Sequence, residues 1–248
     1  MSEHIDFSIL TLFPDQVKSF LEQSITGRAI KGGIIGLNAV NIRDYAQNSY
    51  GKIDDTLYGG GTGLMIQCEP VYQAWKSLWS DESNRPYTIY VSPKGGVLNQ
   101  DKVRELSSKK HIAIICGHYE GIDTRVIDEI CDEELSIGDY VLTGGELASC
   151  VIVDSVSRMV DGVLPNEDAF TNESHMGGTL EAPQYTKPPV WHDREVPEVL
   201  KSGNDALIKD YNHIAELVET WQKRPDMLDK LQISEEDWQK MLAFRKSL

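Results

Sequence analysis

Apolar and polar positions follow two different periods along this chain. In five short segments the apolar residues run together or alternate with polar ones, which is typical of buried or half-buried β-strands. The predicted strands are Ile5–Phe13, Leu37–Ile42, Tyr87–Val91, His111–Cys116 and Glu134–Ile137. The first of them ends at a proline, which cannot donate a backbone hydrogen bond to a continuing strand.

Helical spacing of apolar residues appears between these strands. After Asp15, which can cap a helix, apolar side chains at Val17, Phe20, Leu21 and Ile25 predict the first helix. Further helices are predicted over or near Val71–Leu78, Gln100–Lys109 and Thr124–Cys131, and from Glu146 onward. Strands that alternate with helices in this way predict βαβ units, and therefore an α/β fold with a parallel sheet.

Three predicted strands run into loops that contain glycine. These loops are Ser92–Gly96, Gly117–Gly121 and Gly138–Gly145. Ligands bind outside the carboxyl ends of the strands in parallel sheets, so we expect the three loops to converge on one crevice. Glycine at these positions lets the backbone pass close to a ligand or to another loop.

The amino-acid composition of the chain changes after Asp161. The segment that follows is polar and interrupted by proline and glycine, whereas helix-forming residues dominate from about Asp205. We therefore predict an α/β domain over residues 1–160, a linker or lid over 161–178 and a smaller helical domain over 179–248.

Composition and charge narrow the class of protein. No apolar run approaches the roughly 18 residues of a membrane span, and the amino terminus has no secretory pattern, so we expect a cytoplasmic protein without a membrane partner. The four cysteines form no CxxC pair, which favours reduced thiols over disulfides or zinc. The formal net charge of −15 argues against sequence-blind nucleic-acid binding but allows a local basic patch.

Two common nucleotide-binding signatures are missing. The glycines of Gly59–Gly63 lack the spacing of GxGxxG, and Gly51 and Lys52 are followed by Ile53 where a P-loop requires serine or threonine. A Rossmann dinucleotide enzyme or a P-loop NTPase is therefore not expected.

Six motifs, taken in order, carry a family resemblance. They are DDTLYGGGTG (54–63), YVSPKG (90–95), CGHYEGID (116–123), SIGDYVLTGGEL (136–147), PQYTKP (183–188) and VPEVLKSGN (196–204). Each glycine-rich piece alone is a weak signal, but the ordered set resembles the bacterial tRNA (guanine-N1)-methyltransferases of the TrmD type over about residues 5–228.

The resemblance implies a SPOUT-class enzyme that works as a homodimer. In that class the parallel-sheet domain holds S-adenosylmethionine in a deep trefoil knot, and a small helical C-terminal domain binds tRNA. The implied reaction methylates N1 of the guanosine just 3′ of the anticodon, and the family is also associated with Mg²⁺.

By resemblance, the three glycine-bearing loops hold the methyl donor. The residues assigned to this site are Tyr90, Ser92, Pro93, Gly117, Tyr119, Glu120, Gly121, Ile137, Gly138, Tyr140, Leu142, Gly144 and Gly145. The alternative is that these glycines only permit tight turns.

Methyl transfer to guanine N1 needs a base for the N1 proton and a cation near O6. Arg158 matches the catalytic arginine of the family, although without the resemblance it would be read as a surface arginine. Glu173 stands where the family carries its proposed aspartate base, and Asp168 in the same polar stretch is the competing candidate.

By analogy, both subunits shape the guanosine pocket. One subunit supplies Asp54, Asp55, Tyr58, Gly59, Gly60 and Gly61, and the other supplies Ser202, Gly203 and Asn204. In the C-terminal domain, Tyr211–His213 replaces a cluster that is usually basic, which predicts weaker tRNA affinity. The remaining candidates for phosphate contact are Lys187, Arg194, Lys201 and Lys209.

Three other functions compete with this interpretation. The altered C-terminal domain is compatible with a SPOUT methyltransferase that acts on another RNA. Departures at Glu173 and Tyr211–His213 are compatible with a non-catalytic RNA-binding relative, although that protein would have no reason to keep all three donor loops. A flavodoxin-like phosphate binder without methyl chemistry is the most distant alternative.

Overall fold

The computed structural model describes residues 4–60, 63–165 and 173–247. The chain divides into two compact units, Met1–Asn166 and Glu167–Leu248. The predicted linker, residues 161–178, spans this division, and its role as a separate segment stays a prediction.

A parallel sheet forms the centre of the first unit. The strands of this unit are β1 Ile5–Thr11, β2 Ile35–Asn41, β3 Asp54–Thr56, β4 Leu64–Ile66, β5 Tyr87–Val97, β6 His111–Cys116 and β7 Glu133–Ser136. Five of them form one sheet in the order β2–β1–β6–β5–β7, with every neighbouring pair parallel. Strands β3 and β4 pair as a separate antiparallel hairpin. The predicted α/β fold with a parallel sheet is confirmed.

Strand β5 is longer than the sequence predicts. Its register against β7 shifts between Val91 and Gly96, after which Val97 pairs with Ser136. The predicted end of the strand at Ser92 was wrong, because pairing with the distant β7 outweighs the local turn preference of the Pro-Lys-Gly-Gly sequence. The irregular stretch between the two paired parts forms one of the three predicted loops.

Within its described residues, the first unit has six α-helices beside the strands. They are α1 Pro14–Leu21, α2 Ser24–Lys31, α3 Cys68–Lys76, α4 Gln100–Leu106, α5 Thr124–Ile130 and α6 Glu146–Ser157. Short 3₁₀ helices cover Ile42–Tyr45 and Glu82–Asn84. The single helix predicted after Asp15 is two helices, because Ser24 has a φ of +54°, which interrupts a right-handed helix.

The core of the first unit lies on the sheet. Ile9 and Ile89 both lie in register with Ile114 on the central strand, and all three are fully buried. Helix α6 packs on β1 and β6 and buries Ile152 and Val156. All four cysteines are free, as predicted. This packing makes the sheet a rigid frame for the loops at its carboxyl edge.

The second unit is a small helical assembly with one hairpin. Its described elements are β8 Val190–Trp191, β9 Arg194–Glu195, α7 Glu198–Lys201, α8 Asp205–Lys223, α9 Pro225–Leu228 and α10 Glu235–Ser247. Its core is formed by Ile214, Leu217, Val218, Leu228 and Met241. The two-residue strands carry no sequence pattern that predicts them. None of the helices in the described ranges combines the length and apolar character needed to cross a lipid bilayer.

Candidate active site

A cavity of about 520 Å³ opens where β5, β6 and β7 end. The three glycine-bearing loops converge there, as parallel strands require. Every residue predicted for the donor site lines this cavity, namely Tyr90, Ser92, Pro93, Gly117, Tyr119, Glu120, Gly121, Ile137, Gly138, Tyr140, Leu142, Gly144 and Gly145. The volume lies within the range of small-molecule sites.

Two of the loops are bonded directly to each other. The Gly145 N–H donates to the Gly117 carbonyl at 2.9 Å, and His118 forms an isolated antiparallel bridge with Gly144. A Cβ at Gly145 would lie 2.7 Å from the Cα of Cys116, so only glycine allows this approach. The alternative that these glycines merely permit turns does not account for such a contact between the end of β6 and the start of the helix at Glu146.

The phenol of Tyr90 lines the cavity. A Cβ on Gly117 would lie 2.8 Å from the Tyr90 hydroxyl, so the glycine backbone packs directly beneath this group. Burial, followed by the nearby carboxylate of Glu134, raises the pKa of Tyr90. The hydroxyl therefore stays protonated at neutral pH and is available as a hydrogen-bond donor.

A buried carboxylate directly follows the cavity loop that ends at Gly145. Glu146, the first residue of α6, is only 4% exposed, and its Oε1 accepts a 2.7 Å hydrogen bond from the Thr11 hydroxyl. The same hydroxyl oxygen accepts from the Phe13 N–H at 2.9 Å. The end of β1 is thus joined to the start of α6, immediately after Gly145.

Sequence reasoning missed several polar residues that line the cavity. They are Lys94, His118, Thr124, Asp128, Glu134, Ser136 and Thr143. Lys94, His118 and Thr143 lie inside the predicted loops, and that position was the available signal for these three. Nδ1 of His118 is buried and has no hydrogen-bond partner within the described residues, so it is free for a ligand.

The predicted acceptor residues lie beside the donor loop. Asp54 and Asp55 belong to β3, and Tyr58 at its end is 99% exposed. Backbone hydrogen bonds of 3.0 Å join the partner strand β4 to the donor loop, from the Glu120 N–H to Leu64 and from the Ile66 N–H to Gly121.

The turn between β3 and β4 is built from glycines. Gly59 and Gly60 have φ of +87° and +84°, values that favour glycine. Gly61 lies outside the described residues. The described acceptor segment and the donor loop therefore form one continuous structure.

The predicted catalytic residues lie elsewhere. Arg158 directly follows α6, a helix of 12 residues whose other end faces the cavity. At 1.5 Å per residue, Arg158 is about 18 Å along the helix axis from Glu146, the residue that follows Gly145. Glu173 is half-buried in the second unit, and Asp168 lies outside the described residues.

The second-subunit candidates form an exposed turn before α8. The Asn204 side chain caps this helix by accepting from the Leu207 N–H at 3.3 Å, and Gly203 has a φ of +68°. The Ser202 hydroxyl accepts from the Asn204 N–H at 3.2 Å. These contacts fix the shape of the turn and leave its outer surface accessible.

Known proteins resemble this chain over nearly its whole length. Relatives named tRNA (guanine-N(1)-)-methyltransferase include one from Ruminiclostridium cellulolyticum, 49% identical over 91% of this chain and 97% of the relative. Another from Clostridium perfringens strain ATCC 13124 is 45% identical over 93% and 96%. A third from Staphylococcus haemolyticus is 42% identical over 96% and 97%.

A sequence profile of the family described as tRNA (Guanine-1)-methyltransferase TrmD matches residues 5–230. That range contains all six motifs and every strand and loop of the cavity. The chain therefore belongs to the TrmD family of tRNA (guanine-1)-methyltransferases.

Proposed function

We propose that this protein transfers a methyl group from S-adenosylmethionine to N1 of the guanosine 3′ of the anticodon in tRNA, in the cytoplasm. The observation that carries the proposal is the convergence of all the assigned donor residues on one cavity, in a chain that belongs to the TrmD family. The first unit supplies the donor site, and the second unit supplies RNA contacts.

The cavity suits the methyl donor in both shape and chemistry. Glycine backbones on all three loops offer N–H and C=O groups to an adenine and a ribose without obstruction by side chains. The carboxylates of Glu120, Asp128 and Glu134 line the same cavity and complement the positive charges of the donor. When bound there, S-adenosylmethionine would supply an electrophilic methyl group.

The acceptor needs a base and a counter-charge. Glu173 takes the N1 proton of guanine, and Asp168 remains the competing candidate for this role. Arg158 stabilises the negative charge that develops on O6 as that proton leaves. Asp54, Asp55 and the turn that follows β3 hold the base beside the donor loop, with Ser202–Asn204 facing it from the second subunit.

We propose a homodimer in which Arg158 serves the cavity of the partner. The separation of about 18 Å along α6 is too long for Arg158 to act at the donor cavity of its own chain. Helix α6 also exposes Leu147 (52%) and Val151 (39%), and α1, which packs against it, exposes Phe20 (54%). Apolar side chains that stay exposed on packed helices are typical of subunit interfaces.

The homodimer predicts a solution mass of twice 27.8 kDa. Sedimentation equilibrium checks this mass, and Leu147→Asp should shift it toward the monomer because a charge would be buried in the interface. A monomeric wild type at micromolar concentration would contradict the proposal.

A deep trefoil knot completes the proposed architecture. After β7 at the edge of the sheet, the chain returns across β5, so that Gly145 bonds to Gly117 at the end of β6. A Cβ at Gly145 would lie 2.6 Å from Cγ2 of Val91 on β5. This close crossing of three loops supports a threaded path.

Mg²⁺ is the second cofactor that the family resemblance implies. Across the described ranges, no group of three or more His, Cys, Asp or Glu residues could hold a metal ion. Mg²⁺ commonly uses one or two carboxylates together with phosphate oxygens and water. A Mg²⁺ ion held by one or two carboxylates together with the bound RNA therefore stays a proposal.

The proposed function is tested with labelled S-adenosylmethionine and two unmodified tRNA transcripts, which carry guanosine or adenosine after the anticodon. We expect label in the guanosine transcript alone. The variants Glu173→Gln and Asp168→Asn are assayed in parallel. The residue whose replacement abolishes methyl transfer, but leaves donor binding intact, is the base. Transfer to neither transcript, with donor binding intact by calorimetry, would contradict the proposal and point to another RNA.

A further inference from the structure

Arg43 joins the acceptor segment to the donor loop. It lies in the 3₁₀ helix Ile42–Tyr45 that follows β2. Its Nη2 donates to the Tyr119 hydroxyl at 3.2 Å, and its Nη1 donates to the Gly51 carbonyl at 3.5 Å. Tyr119 lines the donor cavity, whereas Gly51 lies three residues before β3 in the segment that leads to the acceptor residues.

Both ends of this bridge are held in place. The Asn41 side chain accepts from the Arg43 N–H at 3.0 Å and fixes the start of the 3₁₀ helix. The Asn48 side chain closes the turn around Gly51, because it donates to the Lys52 carbonyl at 2.6 Å and accepts from the Lys52 N–H at 3.0 Å. The guanidinium therefore connects two ordered pieces of backbone.

Tyr119 itself is held in an unusual conformation. Its φ of +60° lies in the left-handed region that non-glycine residues seldom occupy. Its ring packs edge-on against His118 at 4.9 Å, and His118 packs in the same way against Phe13 at 5.1 Å. The Arg43 contact is the hydrogen bond that fixes the outer end of this ring at the mouth of the cavity.

We infer that Arg43 is a positioning residue that couples donor binding to tRNA binding through Tyr119. A donor that repositions Tyr119 also shifts Arg43 and the turn at Gly51 to which it is bonded, so tRNA meets a segment whose position depends on the donor site. By linkage, tRNA strengthens donor binding by the same factor. This inference rests on the proposed function, because it concerns the two ligands of that reaction.

Direct contact of Arg43 with an RNA phosphate is the competing explanation. If Arg43 contacted a phosphate, replacing it would weaken tRNA binding equally with and without a donor-site ligand. A coupling residue changes the ratio of the two affinities. Arg43→Lys separates the explanations further, because it keeps the charge but loses the planar fork that spans two acceptors.

The experiment measures tRNA affinity with and without S-adenosylhomocysteine, the unreactive product, at one fixed salt concentration. Wild type should bind tRNA at least about 5-fold more tightly when the product is present, the lower end of typical coupling between sites. That ratio should fall toward one in Arg43→Gln, Arg43→Lys and Tyr119→Phe. Arg104→Gln removes one positive charge on α4, outside the cavity, and should keep the wild-type ratio.

The outcomes distinguish the two claims. A wild type that methylates tRNA but shows no coupling, or variants that keep the wild-type ratio, would overturn the role of Arg43 alone. A wild type that transfers no methyl group to tRNA would overturn the proposed function, and the coupling role with it. Tyr119→Phe removes a single hydroxyl, so it keeps the test valid even if the Arg43 variants fold poorly.

Discussion

Replacing Arg158 with alanine is expected to lower kcat for guanosine methylation by about 10²- to 10³-fold, as when one preorganised group that stabilises developing charge is removed. Guanine O6 gains negative charge while N1 loses its proton, and Arg158 is the cation assigned to that oxygen. Donor affinity should stay unchanged, because Arg158 is assigned to guanine O6 and not to the donor, and the cavity of its own chain lies at the other end of α6. Single-turnover kinetics and calorimetry measure the two quantities separately.

A matched control removes the same charge elsewhere. Arg104→Ala on α4 should leave kcat unchanged, since Arg104 pairs with Asp101 outside the cavity. If Arg158→Ala weakened donor binding together with kcat, its role would be structural. An unchanged kcat would make Arg158 an ordinary surface arginine of the helix.

The fold was predictable where short-range patterns dominate. The run from His111 to Cys116 is buried on both faces of a parallel sheet, and such runs read as nearly continuous apolar segments. The length of strand β5 was underestimated, because its second half depends on pairing with Leu135 and Ser136. No local sequence pattern reveals that pairing. The break at Ser24 was missed for a related reason, since helical spacing continues across it.

The convergence of the three glycine-bearing loops on one cavity was predictable, because their glycines follow strands whose ends must meet. The supports behind them were not, since Thr11 and Glu146 lie 135 positions apart and Arg43 and Tyr119 lie 76 apart. The roles of Arg158 and Glu173 came from family resemblance, because an isolated arginine or carboxylate carries no local signature of catalysis. Those roles remain predictions.

Replacing Gly145 with alanine is expected to weaken donor binding by about 5- to 150-fold. The new Cβ would lie 2.6 Å from Cγ2 of Val91 and 2.7 Å from the Cα of Cys116, and the second atom belongs to a fixed strand end. Overpacking of this kind costs about 1–3 kcal/mol, and each 1.4 kcal/mol corresponds to about a tenfold loss of affinity. The displacement would also stretch the bond from the Gly145 N–H to Gly117. Calorimetric titration with S-adenosylmethionine measures the loss.

Gly96→Ala is the control for this substitution. Gly96 lies on β5 outside the lining of the cavity, and a Cβ there would meet no atom within 4 Å. Its donor affinity should match that of the wild type. If Gly145→Ala bound S-adenosylmethionine as tightly as the wild type, the loops that contain Gly117 and Gly145 would be free to separate. The close approach of Gly145 to Cys116 would then not be required for donor binding.

Gly145→Ala and Arg158→Ala together test the shared active site. When the two variants are co-expressed with different tags, a mixed dimer has one chain with an intact donor cavity and a partner that supplies Arg158. If Arg158 serves the partner's cavity, that pair contains one complete site, and methylation should return at a donor concentration that leaves Gly145→Ala alone largely unoccupied. If Arg158 serves its own cavity, every site in the mixed dimer lacks one component, and no activity should return. The length of α6 favours the first outcome, because about 18 Å of helix separates Arg158 from its own donor loops.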